Sequence, residues 1–222
     1  MGDIETSKNE VLRYLGCKNQ NMDEKINNLI EECILEIKKI AEEKYIYNYF
    51  RITSREFDVS LEDGLIEFQG KGIARHLKNS EGCYLMAVTL GNQVDTKIRY
   101  YEKTDMTRAL ILDACATAYV EEVCDRVCSI MGKEDKLKGR SLTYRFSPGY
   151  GDLSLDIQKS FLRVLDGQKK IGLTASSDNI LLPRKSVTAV VGILKDSCSA
   201  GVKGCSSCNK NNDCRYKKEG GK

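Results

Sequence analysis

Apolar residues recur every three or four positions in the N-terminal part of the chain, the spacing of one face of an α-helix. They follow Asp23, a residue type favoured at helix N-caps, and predict a helix that continues to about Lys44. The apolar positions are Ile26, Leu29, Ile30, Cys33, Ile34, Ile37, Ile40 and Ala41. A shorter helix is expected before it, between the capping box of Ser7 and Glu10 and a stop at Gly16.

A second helical stretch, from Asp105 to Met131, is apolar nearly all the way round in its first half. Such a helix is normally buried on several sides, so we expect it at the centre of the fold, with Gly132 ending it. Shorter helices are expected from Gly72 to Lys78, after Asn92 and from Ser154 to Leu165.

Between these helices the pattern changes to the alternation and short apolar runs of β-strands. Strands are expected at 45–49, 57–61, 65–68, 83–90, 142–146, 171–174 and 187–194, with a hairpin turn at Asp63-Gly64. There is no regular β-α-β alternation with the glycine pattern of a doubly wound nucleotide-binding domain. The sequence therefore predicts an α+β fold in which a mixed or antiparallel sheet surrounds one long central helix.

The length of 222 residues allows one ordinary domain with a small appendage. We expect an N-terminal helical segment over residues 1–43, an α+β domain over 44–196 and a cysteine-rich basic tail over 197–222. The net charge is only +3, and the tail carries it, because residues 198–222 hold six basic and two acidic side chains. A charge this small and this local does not indicate a nucleic-acid partner.

The chain has a single histidine, His76. Metal sites that need two histidines, such as those of H-E-x-x-H peptidases, are therefore excluded within one chain. Neither a G-x-S-x-G nucleophile motif nor a phosphate-binding P-loop is present. The first thirty residues contain no apolar signal region and no run reaches membrane-spanning length, so we expect a cytoplasmic protein with no membrane partner.

The ten cysteines fall into two groups. Six are scattered over the body, where we expect reduced thiols that pack as small apolar residues. The other four lie in the last 25 residues: Cys198, Cys205, Cys208 and Cys214. Four thiolates suit tetrahedral zinc or an iron–sulfur cluster, and a metal would order a segment that has no core of its own. The alternative is a disordered tail that binds metal adventitiously.

The segment from Arg145 to Tyr150 is the most informative part of the body. An arginine at a strand end can hold a carboxylate with two parallel charged hydrogen bonds. Pro148 and Gly149 favour a tight turn, and Tyr150 adds a flat face with a polar tip. Together they suit a small molecule that carries a carboxylate and an aromatic base. The alternative is a structural turn with Arg145 in a surface salt bridge.

The string Arg145-Phe146-Ser147-Pro148-Gly149-Tyr150 resembles the Arg-x-Ala-Pro-Gly-Tyr signature of the activation domain of cobalamin-dependent methionine synthase. The likeness extends over about residues 1 to 195, because further motifs follow the order of stand-alone members of that family. They are Val88-Thr89-Leu90-Gly91 with Asp95, Ala114 to Ala118, Gly172 to Ser176 (shifted by one residue), Pro183, and Ser186-Val187.

The resemblance implies that the chain binds S-adenosylmethionine and supports reductive methylation of cob(II)alamin. The corrinoid is carried by a partner, either a cobalamin-binding methionine synthase or another corrinoid protein, and the electron comes from a donor such as flavodoxin or ferredoxin. The chain then contributes to methyltransferase activity by positioning the methyl donor, with no catalytic acid or base. Two other classes stay open: a metal-dependent electron-transfer protein, and an interaction subunit that binds no small molecule.

Carried over residue by residue, the resemblance assigns the ligand carboxylate to Arg145, a backbone contact to Ser147 and a packing contact to Tyr150, with Pro148 and Gly149 shaping the turn. The chain departs from the family in three ways. Ser147 replaces the usual alanine, valines at 190 and 191 stand near a family aromatic contact, and no tryptophan is present.

Overall fold

The computed structural model describes residues 8–17, 22–54, 56–62, 64–136 and 138–195. The helices are α1 (Lys8–Tyr14), α2 (Glu24–Ile40), α3 (Lys71–Leu77), α4 (Asn92–Thr104), α5 (Met106–Lys136), α6 (Gln158–Leu165) and α7 (Gly167–Ile171), and Leu155–Ile157 form a 3₁₀ turn before α6. The strands are β1 (Lys44–Ser54), β2 (Asp58–Leu61), β3 (Ile66–Gln69), β4 (Ser80–Thr89), β5 (Arg140–Leu142), β6 (Thr174–Ala175), β7 (Leu181–Leu182) and β8 (Ser186–Lys195).

Six of the strands form one sheet in the order β3-β2-β1-β4-β8-β5, and every pairing in it is antiparallel. The centre of the sheet is β4, which pairs with β1 on one side and with β8 on the other. The short strands β6 and β7 make a separate antiparallel pair. The predicted α+β fold with an antiparallel sheet and a long helix is confirmed.

Helices cover both faces of the sheet, which explains why β4 is apolar without interruption. Alternate side chains of a strand point to opposite faces. On one face Tyr84, Met86 and Val88 pack in a core with α5 and α2. On the other face Cys83, Leu85 and Ala87 pack in a second core with residues of α3 and α6. A strand buried on both faces loses the polar alternation of a half-exposed one.

The N-terminal helices belong to the first of these cores, in which Val11 of α1 and Ile30 and Ile37 of α2 are fully buried. The Asp23 carboxylate caps α2 by accepting the Ile26 N–H at 2.8 Å, as its residue type predicts. The helix ends at Ile40 rather than near Lys44, because Lys44 already begins β1 and pairs with β4.

Helix α5 runs past Gly132 to Lys136, so the expected stop at that glycine is wrong. The extra turn carries Asp135, which is fully buried and forms an ion pair with Arg140 at the start of β5. This pair ties the last turn of α5 to the edge strand, an interaction that the local preference of Gly132 does not include.

Two expected strands are shorter than the pattern indicates. β5 ends at Leu142 instead of continuing to Phe146, although pairing with β8 resumes at that residue. The segment from Ile171 to Thr174 is strand only from Thr174, since α7 ends at Ile171 and is capped by Gly172, which has a left-handed φ of +69°.

The six body cysteines are free thiols; Cys33, Cys83, Cys115 and Cys124 are buried, and the other two are half-buried. This agrees with small apolar packing residues. Across the described residues, every helix is either too short or too polar to span a bilayer.

Candidate functional site

The predicted site begins on an irregular edge segment that follows β5. Thr143 N–H donates to Gly192 O at 2.9 Å, and Phe146 exchanges both of its backbone hydrogen bonds with Val190, at 2.9 and 2.8 Å. In an antiparallel pair, the residues flanking such a doubly bonded position direct their N–H and C=O groups away from the partner strand. Backbone groups of Arg145 and Ser147 therefore face outward at the sheet edge.

The turn after this segment has the geometry that Pro148 and Gly149 predict. Tyr150 N–H donates to Ser147 O at 3.0 Å, and Gly149 has a φ of +85°, both features of a type II turn with proline at its second position. A Cβ at Gly149 would lie 2.9 Å from Leu155 Cδ2, so a larger residue would also require the Leu155 side chain to move. The turn holds Tyr150 at a defined distance from the sheet edge.

Arg145 extends toward α5 and binds two acidic side chains there. Nη2 lies 2.6 Å from Glu121 Oε2, and Nη1 lies 2.6 Å from Asp125 Oδ1. Nη1 also lies 3.9 Å from Cys128 Sγ. A guanidinium has five N–H donors. Within the described residues, Nε–H and the second Nη2 hydrogen of Arg145 have no acceptor.

The side chain of Arg145 is 16 % exposed, so its charge is partly removed from water. Burial alone would lower the pKa of Arg145, but Cys124 and the carboxylates of Glu121 and Asp125 together raise it above its ordinary value. Burial also raises the pKa of the Cys124 thiol, which is therefore neutral at pH 7. Arg145 is a permanent cation with carboxylate partners of its own.

Aromatic rings follow on the other face of the sheet. The Tyr150 ring, 40 % exposed, meets Phe146 edge-on with centroids 5.2 Å apart. The Phe146 ring lies 5.1 Å from that of His76, which in turn lies 4.5 Å from Tyr144. Edge-on and tilted contacts at these distances are favourable. The rings form one wall whose outermost member is Tyr150.

His76 is a structural part of this wall. Its Nε2 lies 3.0 Å from Thr143 Oγ1. Burial lowers the pKa of His76 to about 4, although a hydrogen bond at the Tyr144 backbone acts in the opposite direction. The imidazole is therefore neutral at pH 7 and packs from α3 against the edge segment of the sheet.

A cleft of about 410 Å³ lies in front of the aromatic wall. Its lining residues are Lys71, Gly72, Arg75, Tyr144, Phe146, Tyr150, Gly151 and Asp152. The cleft combines two exposed cations of α3 with aromatic rings, a lining that suits a molecule with an aromatic part and a negative charge.

The floor of the cleft is fixed by Asp152, whose carboxylate accepts the Gly72 N–H at 2.9 and 3.1 Å. A Cβ at Gly70 or at Gly72 would lie within 2.7 Å of this carboxylate. The glycine pair thus allows the carboxylate of Asp152 to approach the start of α3.

The structure separates the predicted site residues into two groups. Arg145 lies against α5, whereas Tyr150 lines the cleft on the other face, with the backbone of Ser147 and the turn of Pro148 and Gly149 at the edge between them. The roles of these residues in binding remain predictions. Sequence reasoning did not identify Glu121, Asp125, Tyr144, Asp152 and Gly72 as neighbours of the site; only the spacing of the two α5 acids, one turn apart, is visible without a structure.

The predicted metal ligands Cys198, Cys205, Cys208 and Cys214 lie outside the described residues. Within the described ranges, no three histidine, cysteine, aspartate or glutamate side chains are grouped so that they could hold a metal ion. The tail cysteines therefore remain the candidates for metal ligation.

Neither a protein-family model nor a curated protein matches the sequence. Among solved structures, a crystal structure of the MetH reactivation domain bound to AdoHcy is similar to the chain, with a TM-score of 0.58 and 13% sequence identity. The similarity covers 81% of this chain and 69% of that one. The chain has the fold of the MetH reactivation domain. At this identity the match establishes the architecture alone.

Proposed function

We propose that the chain is an S-adenosylmethionine-binding reactivation protein that supports reductive methylation of cob(II)alamin on a methionine synthase or related corrinoid protein. One observation carries the proposal. The Arg-x-x-Pro-Gly-Tyr segment lies at an open sheet edge, in a fold shared with a reactivation domain whose crystal structure contains AdoHcy. The edge brings a cation, outward-facing backbone groups and an exposed tyrosine ring within six consecutive residues.

The ligand is proposed to lie across this edge, with its methionine carboxylate at Arg145. Two of the guanidinium hydrogens have no acceptor within the described residues, so a carboxylate can bind there beside Glu121 and Asp125. The two protein carboxylates hold the guanidinium in place, but they also repel a third negative charge. We therefore expect binding that is weaker than a guanidinium without such partners would give.

The adenosine part is proposed to pack on Tyr150, on the side of the 410 Å³ cleft. The tyrosine ring has an edge-on contact with Phe146, which in turn packs on His76, so Tyr150 offers a flat face at low entropic cost. The outward N–H and C=O of Arg145 and the N–H of Ser147 supply hydrogen bonds to a purine edge without any specific side chain, whereas the Ser147 C=O already accepts from Tyr150. This explains how a serine can replace the family alanine at position 147.

The chemistry that follows binding requires positioning alone. The methyl group of the sulfonium would pass to a reduced corrinoid on the partner, which would supply the electron pair of the new bond. S-adenosylhomocysteine would leave with the electron pair of the broken S–C bond. The reducing electron comes from a donor such as flavodoxin or ferredoxin. No proton is transferred in the methyl-transfer step, which accords with a neutral, buried His76. The task of this chain is to hold the methyl donor at the surface where a partner presents its corrinoid.

Calorimetric titration of the full chain with S-adenosylmethionine and S-adenosylhomocysteine tests the proposed site. Arg145→Ala should weaken binding at least tenfold, and Arg145→Lys should retain part of the affinity as a point charge. Arg163→Ala is the matched control, because Arg163 is an exposed arginine of α6 that lines neither the cleft nor the sheet edge. Unchanged affinity in a folded Arg145→Ala protein would remove Arg145 from the site.

Reactivation of an oxidised cobalamin-dependent methionine synthase, with and without S-adenosylmethionine, tests the function itself. Activity that depends on both the chain and S-adenosylmethionine supports the proposal. Recovery without S-adenosylmethionine would indicate an electron-transfer protein instead. Formation of a stable complex with the cobalamin enzyme, without small-molecule binding, would indicate an interaction subunit.

A further inference from the structure

A second cleft lies between the start of α4 and the loop that leads into β8. Its volume is about 300 Å³, and it shares no lining residue with the cleft at Tyr150. It is lined by Asn92, Asp95, Arg99, Gly172, Leu182, Pro183 and Arg184. The side chains proposed to bind S-adenosylmethionine are not among them, so any function of this cleft is independent of that proposal.

Asp95 is the buried polar group of the cleft, with 7 % of its surface exposed. Its Oδ2 accepts the backbone N–H of Arg184 at 2.6 Å, which ties the loop to α4. Its Oδ1 is also buried, yet no donor reaches it from the described residues. A carboxylate oxygen that is removed from water without a hydrogen bond is costly, and such groups in native proteins usually have a partner.

Two exposed arginines, Arg99 and Arg184, line the same cleft as Asp95. Arg99 lies one helical turn after Asp95 and donates through Nε to the Asp95 carbonyl at 3.4 Å. Neither Arg99 nor Arg184 forms an ion pair with a carboxylate in the described part of the chain. The next residue, Lys185, differs in this respect, because it binds Asp113 at 2.8 Å and Thr117 at 2.9 Å.

We propose that this cleft binds a small α-amino or α-hydroxy carboxylate. The ligand carboxylate binds the guanidinium groups of Arg99 and Arg184, and the amino or hydroxyl group on the adjacent carbon donates to Asp95 Oδ1. The remaining carbon chain lies on Leu182, which is 44 % exposed, and on Pro183. The volume lies at the lower end of the range for small-molecule sites, which favours a ligand of few heavy atoms.

The charges in the cleft argue against two simpler occupants. A metal cation would meet one carboxylate and two guanidinium groups, a set that repels it. An anion without a hydrogen-bond donor would bind the arginines but would leave Asp95 Oδ1 without a hydrogen bond. A carboxylate with a donor on the adjacent carbon satisfies the arginines and the aspartate together.

Three acids with one carbon skeleton test the inference on the full chain. They are L-leucine, (S)-2-hydroxy-4-methylpentanoate and 4-methylpentanoate, and binding is followed by calorimetry and by ligand-observed NMR. At least one of the first two should bind at least tenfold more tightly than the third, which has no donor. Equal binding of all three, no binding of any at 10 mM, or binding of inorganic phosphate alone would overturn the proposal.

Matched variants test the assignment of the residues. Arg184→Ala keeps the backbone N–H that Asp95 Oδ2 accepts, and Arg99→Ala lies on an exposed helix surface, so both should fold and weaken the acid at least tenfold. Asp95→Asn keeps one oxygen for the Arg184 N–H and replaces the other by a donor, which should abolish the preference for donor-bearing acids. Arg163→Ala should change nothing.

In all these variants S-adenosylmethionine affinity should stay unchanged, because the two clefts share no residue. Loss of acid binding with retained S-adenosylmethionine binding supports the second site. An acid affinity that none of the three substitutions changes would overturn it, and a common loss of both ligands would assign the acid to the first site.

Discussion

Arg145 Nη1 lies 2.6 Å from Asp125 Oδ1, twenty residues earlier in the chain. This ion pair joins the edge of the sheet to the central helix α5, and Glu121 adds a second one from the preceding helical turn. The guanidinium that the sequence assigns to a ligand carboxylate is therefore already bound to carboxylates of the protein. Glu121 and Asp125 have two opposite effects on the affinity for a carboxylate ligand at this edge. They order the guanidinium, which favours binding, and their negative charges compete with the ligand, which disfavours it.

Asp125→Asn should increase the affinity for S-adenosylmethionine. The substitution removes one negative charge beside Arg145 and keeps an amide oxygen that can accept from Nη1. Asp125 is 55% exposed, and exposed ion pairs are worth up to about 1 kcal/mol, so we expect a gain of about two- to fivefold in affinity and a small loss of stability. Calorimetry measures the affinity, and urea denaturation measures the stability.

Glu102→Gln, an exposed charge removal on α4, is the control for this change and should leave the affinity unaltered. A decrease in affinity in Asp125→Asn would contradict the argument. It would mean that the carboxylate acts mainly by orienting Arg145 for the ligand rather than by competing with it.

Gly72→Ala should destabilise the protein by about 1–3 kcal/mol, the range for losing hydrogen bonds to a charged group. The new Cβ would lie 2.6 Å from Asp152 Oδ1, so the carboxylate must move and release the Gly72 N–H. Gly132→Ala should instead stabilise by about 0.5–1 kcal/mol, because Gly132 is helical and its Cβ would meet nothing closer than 3.9 Å. Urea denaturation at pH 7 compares the free energies of unfolding of the two variants with that of the unaltered chain.

A double-mutant cycle with Asp152→Ala identifies the cause of the Gly72 effect. If the alanine acts by displacing the carboxylate, its cost should largely disappear in the Asp152→Ala background. Full additivity of the two changes would contradict this and would assign the cost to α3 itself.

Elements set by local pattern were predictable from the sequence. The apolar period of α2 locates that helix, the uninterrupted run at 83–90 locates the central strand, and Pro148-Gly149 predicts the turn that follows the sheet edge. In each case the residues that decide the conformation are neighbours in the chain.

Features that depend on distant partners were not predictable in this way. The continuation of α5 beyond Gly132 includes Asp135, which pairs with Arg140 of β5, a contact that only the folded chain brings together. In the same way, the separation of Arg145 from Tyr150 follows from the strand pairing at Phe146, which directs neighbouring side chains to opposite faces of the sheet. Within the segment 145–150, the arginine therefore contacts α5, whereas the tyrosine lines the cleft on the other face of the sheet.

Lowering the pH should destabilise the fold through His76. Its pKa is about 4 in the folded protein and about 6.5 for an unperturbed histidine, so between these values the unfolded chain binds more protons. The contribution of the neutral imidazole is fully present above pH 6.5 and is lost as the pH falls toward 4. We expect the free energy of unfolding to decrease over this window.

His76→Gln separates this effect from the titration of the acidic residues, because glutamine keeps a polar group near Thr143 but does not titrate. Urea denaturation at several pH values between 4 and 7.5 should give a shallower pH dependence for the variant than for the unaltered chain. Identical slopes would show that His76 is equally basic in the folded and unfolded states.

The tail cysteines should carry whatever metal the chain holds. Burial raises the pKa of Cys33 to about 11 and that of Cys83 to about 12, so these body thiols are protonated at pH 7 and are poor metal ligands. Cys198, Cys205, Cys208 and Cys214 offer a four-thiolate set within one short segment. Anaerobically purified full-length chain should therefore contain zinc or an iron–sulfur cluster, measured by elemental analysis and visible absorbance.

Cys205→Ser with Cys208→Ser should remove most of this metal, because a site with two ligands left binds far more weakly than one with four. Cys128→Ser, a half-buried body cysteine, is the control and should retain the metal. Iron with visible charge-transfer absorbance identifies a cluster that can carry the reducing electron, whereas zinc without absorbance identifies a purely structural site. Neither metal in the anaerobic protein would contradict metal binding by the tail and would leave electron delivery wholly to an external donor.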